Sequence, residues 1–535
     1  MANTTLFPSS RGRLLTPTDA TNSEGAPAYA YPARRQLAQY AVTGCLNRTF
    51  YASAEAQLET VLALCQEVDP LFIAKTAVYC RQKGYMKDMP ALFTAILSNR
   101  RVSGYVWDQP ITIDYFPTVF ARVIDSGKML RTFVQIMRSG VTGRKSLGTR
   151  PKLLIQQWLN TASERQLIEA SVGTSPSLAD VVKMVHPHPA DPMRNAFFAW
   201  LLGKDPYIFE DLPEAISAFE LYKLGKSDWV PPVPFQMLTA LRLDAKAWTK
   251  IALQSGWHMV RMNLNTFARH KVFDLPGMAD KIAAKLRDPE AIRNARVFPY
   301  QLLVAYLNTG PEVPRMVKDA LQDALEVALE NVPTLPGNVV VCPDVSGSMS
   351  SPVTGHRKGS TTAVRCVDVA ALIAAALLRK NPRTVILPFE SRVVDLALNS
   401  RDTVLTNANK LAAVGGGGTN CSAPLTVMNR LDTKADLVIY VSDNESWMDA
   451  RPLGLAIFPR STRMMEQWEA HKQRNPKAKL VCVDLTPNTT TQVYERADIL
   501  NIGGFSDEVF NLIDSFARGE LTAEHWIDVI EAVEL

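Results

Sequence analysis

Cysteine is scarce and scattered in this 535-residue chain: the seven residues Cys45, Cys65, Cys80, Cys342, Cys366, Cys421 and Cys482 form no CxxC pair. The odd number and wide spacing exclude a disulfide framework and a cysteine zinc site, leaving reduced and mostly buried thiols. Long apolar runs are missing too. The longest, VDVAALIAAALL, carries Asp368 within it and is shorter than the roughly 18 residues that span a bilayer. The N-terminal MANTTLFPSSRGRLL lacks the apolar centre of a signal peptide, so the expectation is a cytoplasmic protein with no membrane partner. Catalytic signatures are also lacking. VSGSM is not GxSxG, and GGGGTN has no Lys-Ser/Thr to make a phosphate-binding loop; neither chemistry is expected, and no catalytic residue is assigned.

What is present is a folded composition, 47% hydrophobic and 21% charged, in a chain too long for one ordinary core. Its charge is unevenly divided. Residues 336–535 hold 20 Lys+Arg against 23 Asp+Glu, whereas residues 1–335 hold 38 against 30. Between Ser126 and Ser163 there is no acid, but there are Lys128, Arg131, Arg138, Arg144, Lys145, Arg150 and Lys152. A second acid-free window, Ala245 to Phe273, holds Lys246, Lys250, Arg261, Arg269 and Lys271.

Two textures follow one another along the chain. From about residue 34 to 330, apolar positions recur at three- and four-residue spacing. Asp69-Pro70, Asp191-Pro192, Asp205-Pro206 and Asp288-Pro289 each offer a capping carboxylate followed by a proline suited to the first helical turn. Gly84, Gly127 and Gly203 read as helix stops. Strand signals are nearly absent, which predicts an all-helical part built of stacked antiparallel pairs. After VPTLPGN, the runs NVVVCPD, TVILPF, DLVIYVSD and KLVCVDL alternate with helical stretches, the pattern of a parallel sheet covered on both faces. RVVDLAL follows too closely for a helical crossover and is expected to pair antiparallel. The fold class is thus α plus α/β, with a doubly wound, Rossmann-like second part.

Ligands of such sheets bind beyond the carboxyl ends of the strands. Three loops there carry oxygen side chains: Asp344, Ser346 and Ser348 in DVSGS, Thr419 in GGGGTNCS, and Asp443 in VSDNES. Alone, DVSGS reads equally well as a helix N-cap. Three such loops together point to a hard divalent cation, Mg2+ or Mn2+ with Ca2+ as a further option, held by few carboxylates and so open to a partner's oxygen.

DVSGSM, GGGGTN and SDNES resemble the metal-ion-dependent adhesion site (MIDAS) of von Willebrand factor A (VWFA) domains. GGTNCSAPL with VSDNES is especially similar to the version in the Ro autoantigen family, and EGAPAYAYPARRQLAQYAVTGCLNRTFYASAEAQ and VVKMVHPHP resemble the TROVE module of Ro and its bacterial relatives. The resemblance implies an extension over 1–24, a TROVE ring of HEAT-like helix pairs over 25–335, and an A domain over 336–535 closing a monomeric ring. It implies a ribonucleoprotein component that binds Y-type small RNA outside and single-stranded 3′ ends of structured or misfolded RNA in the hole, acting in RNA quality control and stress response with an exoribonuclease. Arg144, Lys145, Arg150 and Lys152 of GRKSLGTRPK, with Lys183 and His186, would form the outer surface. Arg261 and Asn263 would face the hole. Each keeps a structural alternative: a solvated basic face, a helix-end histidine, or internal hydrogen bonds. The competing functional class is a metal-dependent protein-binding scaffold with no direct RNA role.

Overall fold

The computed structural model describes residues 15–535 except 45, 100–101, 107–108, 144, 205–206, 296, 298, 331, 357–363, 449–460, 507 and 521–524. The chain divides into two compact units, one joining the segment up to Glu67 to Asn331–Val529, the other joining Val68–Glu330 to Ile530–Leu535. No helix among the described residues is long and apolar enough to cross a membrane.

The first unit is built on five parallel strands, ordered Ile499–Gly503, Lys479–Asp484, Leu437–Ser442, Val339–Pro343 and Val385–Ile386. The three central strands are buried almost throughout, which is why their sequences are continuous Val, Ile and Leu rather than alternating. Helix Cys366–Lys380 packs against this sheet and against helix Val404–Ala412. From Val339–Pro343 the chain passes to one edge, then returns to build the other side from Leu437–Ser442 outward. The winding therefore reverses between those two strands, and a crevice opens at their carboxyl ends.

The four apolar runs read from the sequence each supply a strand. The fifth strand, ILNIG, escapes that reading because buried Asn501 interrupts its apolar pattern. The antiparallel strand expected at RVVDLAL reduces to one bridge between Phe389 and Val393. Pro388 has no N–H to donate, and the Phe389 N–H is given to the Pro343 carbonyl at 3.1 Å, so no ladder continues.

The N-terminal segment docks on this unit. Pro27–Ala30 pairs with both Ala20–Thr21 and Thr490–Thr491 in a small antiparallel sheet, and helix Ala33–Thr43 packs against Ile499–Gly503. Arg35 on that helix is fully buried, its guanidinium bonded to the Asn501 carbonyl and paired with Glu495.

Among its described residues the second unit is helical apart from one antiparallel hairpin, Val102–Val106 with Gln109–Ile113, which the periodicity did not reveal. Asp69, Asp191 and Asp288 cap their helices as expected, accepting from the N–H groups of Phe72 at 2.9 Å, Met193 at 3.0 Å and Glu290 at 3.0 Å. Asp205-Pro206 lies outside the described residues. Gly127 is a correction: it opens helix Gly127–Ser139 instead of ending one. Its bare Cα serves packing, because a Cβ there would lie 2.1 Å from the Ala170 Cβ.

Candidate metal centre and basic surface

Asp344 leaves the end of Val339–Pro343 and Asp443 the end of Leu437–Ser442, so the two carboxylates face the crevice from neighbouring strands. Both are buried. Asp344 accepts the Ser346 N–H at 2.8 Å through Oδ1 and the Ser442 hydroxyl at 2.6 Å through Oδ2. The Ser346 and Ser348 hydroxyls lie 3.2 Å apart, and Ser348 is hydrogen-bonded to Asp443. The glycine run explains how Thr419 joins them. Gly416 N–H donates to the Val345 carbonyl and Gly347 N–H to the Gly417 carbonyl, each at 2.8 Å, laying one loop against the other. Gly415 has φ +91°, and a Cβ there would meet the Val345 carbonyl oxygen at 2.2 Å, so only glycine fits. Thr419 is buried at the end of this run, and its hydroxyl makes no hydrogen bond among the described residues.

The electrostatics of this cluster are those of an incomplete charge set. Burial, then the Asp443 charge beside it, push Asp344 up to about 7; burial likewise raises Asp443. Neither has an ion pair among the described residues. Nearby, burial pushes Glu445 up to about 8 against hydrogen bonds from Ser23, and burial takes Asp484 up to about 8 against the Tyr31 hydroxyl.

The basic residues fare differently from one another. Arg144 lies outside the described residues. Lys145, Lys152 and Lys183 are exposed, with no ion pair among the described residues. Arg150 is ion-paired with Asp114, donates to the Ser98 carbonyl at 3.3 Å, and lies over the Phe116 ring. His186 is exposed and ends helix Leu178–Val185 with φ 51°. Gln156 donates to the Val185 and His186 carbonyls at 2.5 and 3.3 Å, so helix Thr149–Thr161 meets that end. Lys152 stands one turn before Gln156 on the same face of that helix. Arg261 gives Nη1 to the Gln301 carbonyl at 2.7 Å, and Asn263 gives Nδ2 to the Met259 carbonyl at 2.9 Å. Both therefore make the internal hydrogen bonds of the structural alternative.

Residues 338–517 match the family described as the Ro60 vWA domain. The α/β unit is thus similar to a Ro60 vWA domain over most of its length. Over nearly its whole length the chain is homologous to the RNA-binding protein RO60 of Deinococcus radiodurans, 24% identical over 94% of this chain and 95% of that one. It is 26% identical to the RNA-binding protein RO60 of Caenorhabditis elegans over 45% of this chain and 37% of that one. The crystal structure of the Deinococcus radiodurans RO (RSR) protein shares the fold, with TM-score 0.59 and 22% identity, covering 92% of this chain and all of that one.

The vWA residues fit a hard divalent cation. Two buried carboxylates lack a counter-charge, the hydroxyls of Ser346 and Ser348 adjoin them, and the Thr419 hydroxyl has no partner among the described residues. Among those residues no three His, Cys, Asp or Glu side chains form a metal-holding group, as expected where three of the five donors are hydroxyls. Sequence reasoning missed several residues of this crevice. Ser442 and Glu445 lie in the VSDNES motif and were within reach. Ser23, which bonds Glu445, and Tyr51, which bonds Ser348, stand hundreds of residues away and carry no local signal.

Proposed function

We propose that this protein binds RNA: Y-type small RNA on an exposed surface of the helical unit that includes Lys145, Lys152, Lys183 and His186, and single-stranded 3′ ends of structured RNA at the second acid-free window. Its role is RNA quality control alongside an exoribonuclease. The observation that carries this reading is homology over 94% of the chain to a protein named for RNA binding. The exposed lysines support it, because cations without acid partners attract phosphates whatever the base sequence. In this reading Arg150, committed to Asp114, positions its helix and does not meet the RNA.

In the vWA domain, Asp344, Ser346, Ser348, Thr419 and Asp443 would hold the divalent cation, Mg2+ first. When bound, the ion offers an open coordination position to an oxygen of a partner. The chain's own part is to bury the two carboxylates, orient Asp344 through the Ser346 N–H and the Ser442 hydroxyl and Asp443 through the Glu445 N–H, and hold the glycine loop in place. Exposed Trp447 and Met448 pack beside Gly418 of that loop, which favours a second reading in which the domain also grips a protein partner.

The test is binding of a small stem–loop RNA, with and without a single-stranded tail of about ten nucleotides, across a salt series. Tighter binding of the tailed RNA, with affinity falling steeply as salt rises, supports the reading. Absence of RNA binding at low salt, with partner proteins retained after nuclease treatment, overturns it in favour of the scaffold.

A further inference from the structure

The second acid-free window and the segment before it line an open pocket of about 540 Å3 in the helical unit, formed by Phe235, Arg242, Trp248, Asn263, Thr266 and His270 among others. One part of its lining is aromatic. His270 lies flat against Trp248, with ring centroids 4.1 Å and planes 12° apart, and Phe235 meets the same indole edge-on at 5.7 Å. The polar lining is uncommitted. Asn263 uses Nδ2 on the Met259 carbonyl, but its Oδ1, the Thr266 hydroxyl and the His270 ring nitrogens have no hydrogen bond among the described residues. Exposed cations flank these side chains in the chain: Arg242, which lines the cavity, Lys246, Arg269 and Lys271, none with an ion pair among the described residues. The nearest acid in sequence, Asp244, caps the helix that carries Trp248.

The ligand that matches is flat and apolar on its faces, hydrogen-bonding along its edge, and anionic at one end. A free phosphate makes no use of the aromatic rings, and an apolar peptide makes none of the cations. The volume lies in the usual range for small-ligand pockets. We propose that this cavity takes one unstacked nucleobase of single-stranded RNA, its ring against the Phe235, Trp248 and His270 set, its edge toward Asn263, and its phosphate toward Arg242. The proposal rests on the RNA-binding reading above and deepens it. A duplex keeps its bases stacked and paired and has none to insert, so the pocket selects single strands by shape and stacking as well as by charge.

The experiment is fluorescence anisotropy of the full chain with a labelled oligoadenylate of about ten nucleotides and with an abasic oligomer of the same length and charge. The wild-type protein is expected to bind the oligoadenylate about tenfold more tightly than the abasic oligomer. Phe235→Ala removes one aromatic wall, and Thr239→Trp fills the cavity from an exposed position on its rim. Each is expected to weaken oligoadenylate binding about tenfold and leave abasic binding unchanged. Equal wild-type affinity for the two oligomers, or variants as tight as wild type, overturns the pocket while the RNA-binding reading stands. An equal fall for both oligomers in both variants also counts against the pocket, since a base-specific site cannot weaken an abasic strand. Binding of neither oligomer at low salt overturns the single-strand part of the RNA-binding reading and the pocket with it.

Discussion

The crevice of the vWA domain and the basic face of the helical unit are opposite solutions to holding charge. At the crevice, Asp344 and Asp443 are buried with no cation paired to them; on helices Thr149–Thr161 and Leu178–Val185, Lys152 and Lys183 are exposed with no acid paired to them among the described residues. Burial makes the first kind of charge expensive and geometrically fixed, so a small ion of defined coordination answers it. Exposure makes the second kind cheap and adaptable, so it suits a polyanion recognised through counterion release. The crevice should therefore respond sharply to one ion and one residue, and the face gradually to salt and to the number of lysines.

The largest expected effect is at the crevice. Mg2+ at about 100 times its dissociation constant should stabilise the vWA unit by about 2.7 kcal/mol, roughly 5–10 °C in its melting transition. Asp344→Ala should abolish that rise while keeping the fold, as calorimetry with Mg2+ or EDTA would reveal. A rise that survives the substitution would place the ion elsewhere. A pH effect of the same origin comes next. Asp344 at about 7, and Glu445 and Asp484 at about 8, all lie above their unfolded values, so the folded state holds protons more tightly. In EDTA, stability should then rise as pH falls from about 8 toward the unfolded carboxyl range near 4, and the Mg2+ effect should shrink over the same interval. Metal-free stability that falls steadily on acidification through that window would contradict the burial argument.

On the basic face the effects are smaller and additive. Lys152→Glu with Lys183→Glu should weaken stem–loop RNA binding at every salt concentration and lower the salt slope by about 0.7 to 0.9 for each phosphate that is no longer neutralised. An unchanged slope would move the RNA to another surface.

The two regions also differ in how far the sequence disclosed them. The crevice was legible because its oxygen side chains sit in three short motifs at strand ends, and a parallel sheet brings such ends together whatever lies between. Tyr51, Ser23 and the Asp484 partners Tyr31 and Gln39 were not, because the N-terminal segment reaches this unit across hundreds of residues of chain. On the helical side, counting acids within a window hid the partner of Arg150. Asp114 precedes the window in sequence and meets Arg150 only once the helices pack. The strand ILNIG and the hairpin Val102–Val106 with Gln109–Ile113 escaped because the first hides a buried asparagine and the second is stabilised by its own cross-strand pairing instead of a helical period.

Arg150 gives the finest test of the comparison, because it belongs to the basic window in sequence and to a partly buried ion pair in space. Its side chain is 28% exposed and that of Asp114 25%, so their attraction is partly screened, and a cost of about 1 kcal/mol is expected for Arg150→Ala. Lys152→Ala, with no ion pair to break, should change stability by less than about 0.5 kcal/mol. For RNA the order should reverse: Lys152→Ala weakens binding, and Arg150→Ala leaves the salt slope unchanged. Asp114→Asn completes the argument, since it keeps the shape of the site but removes the charge that holds the guanidinium. If pairing alone keeps Arg150 from the RNA, Asp114→Asn should tighten binding and steepen the slope by about one phosphate's share. Should Arg150→Ala weaken RNA binding as much as Lys152→Ala at an unchanged melting temperature, the pair opens to admit a phosphate, and Arg150 belongs with the lysines after all.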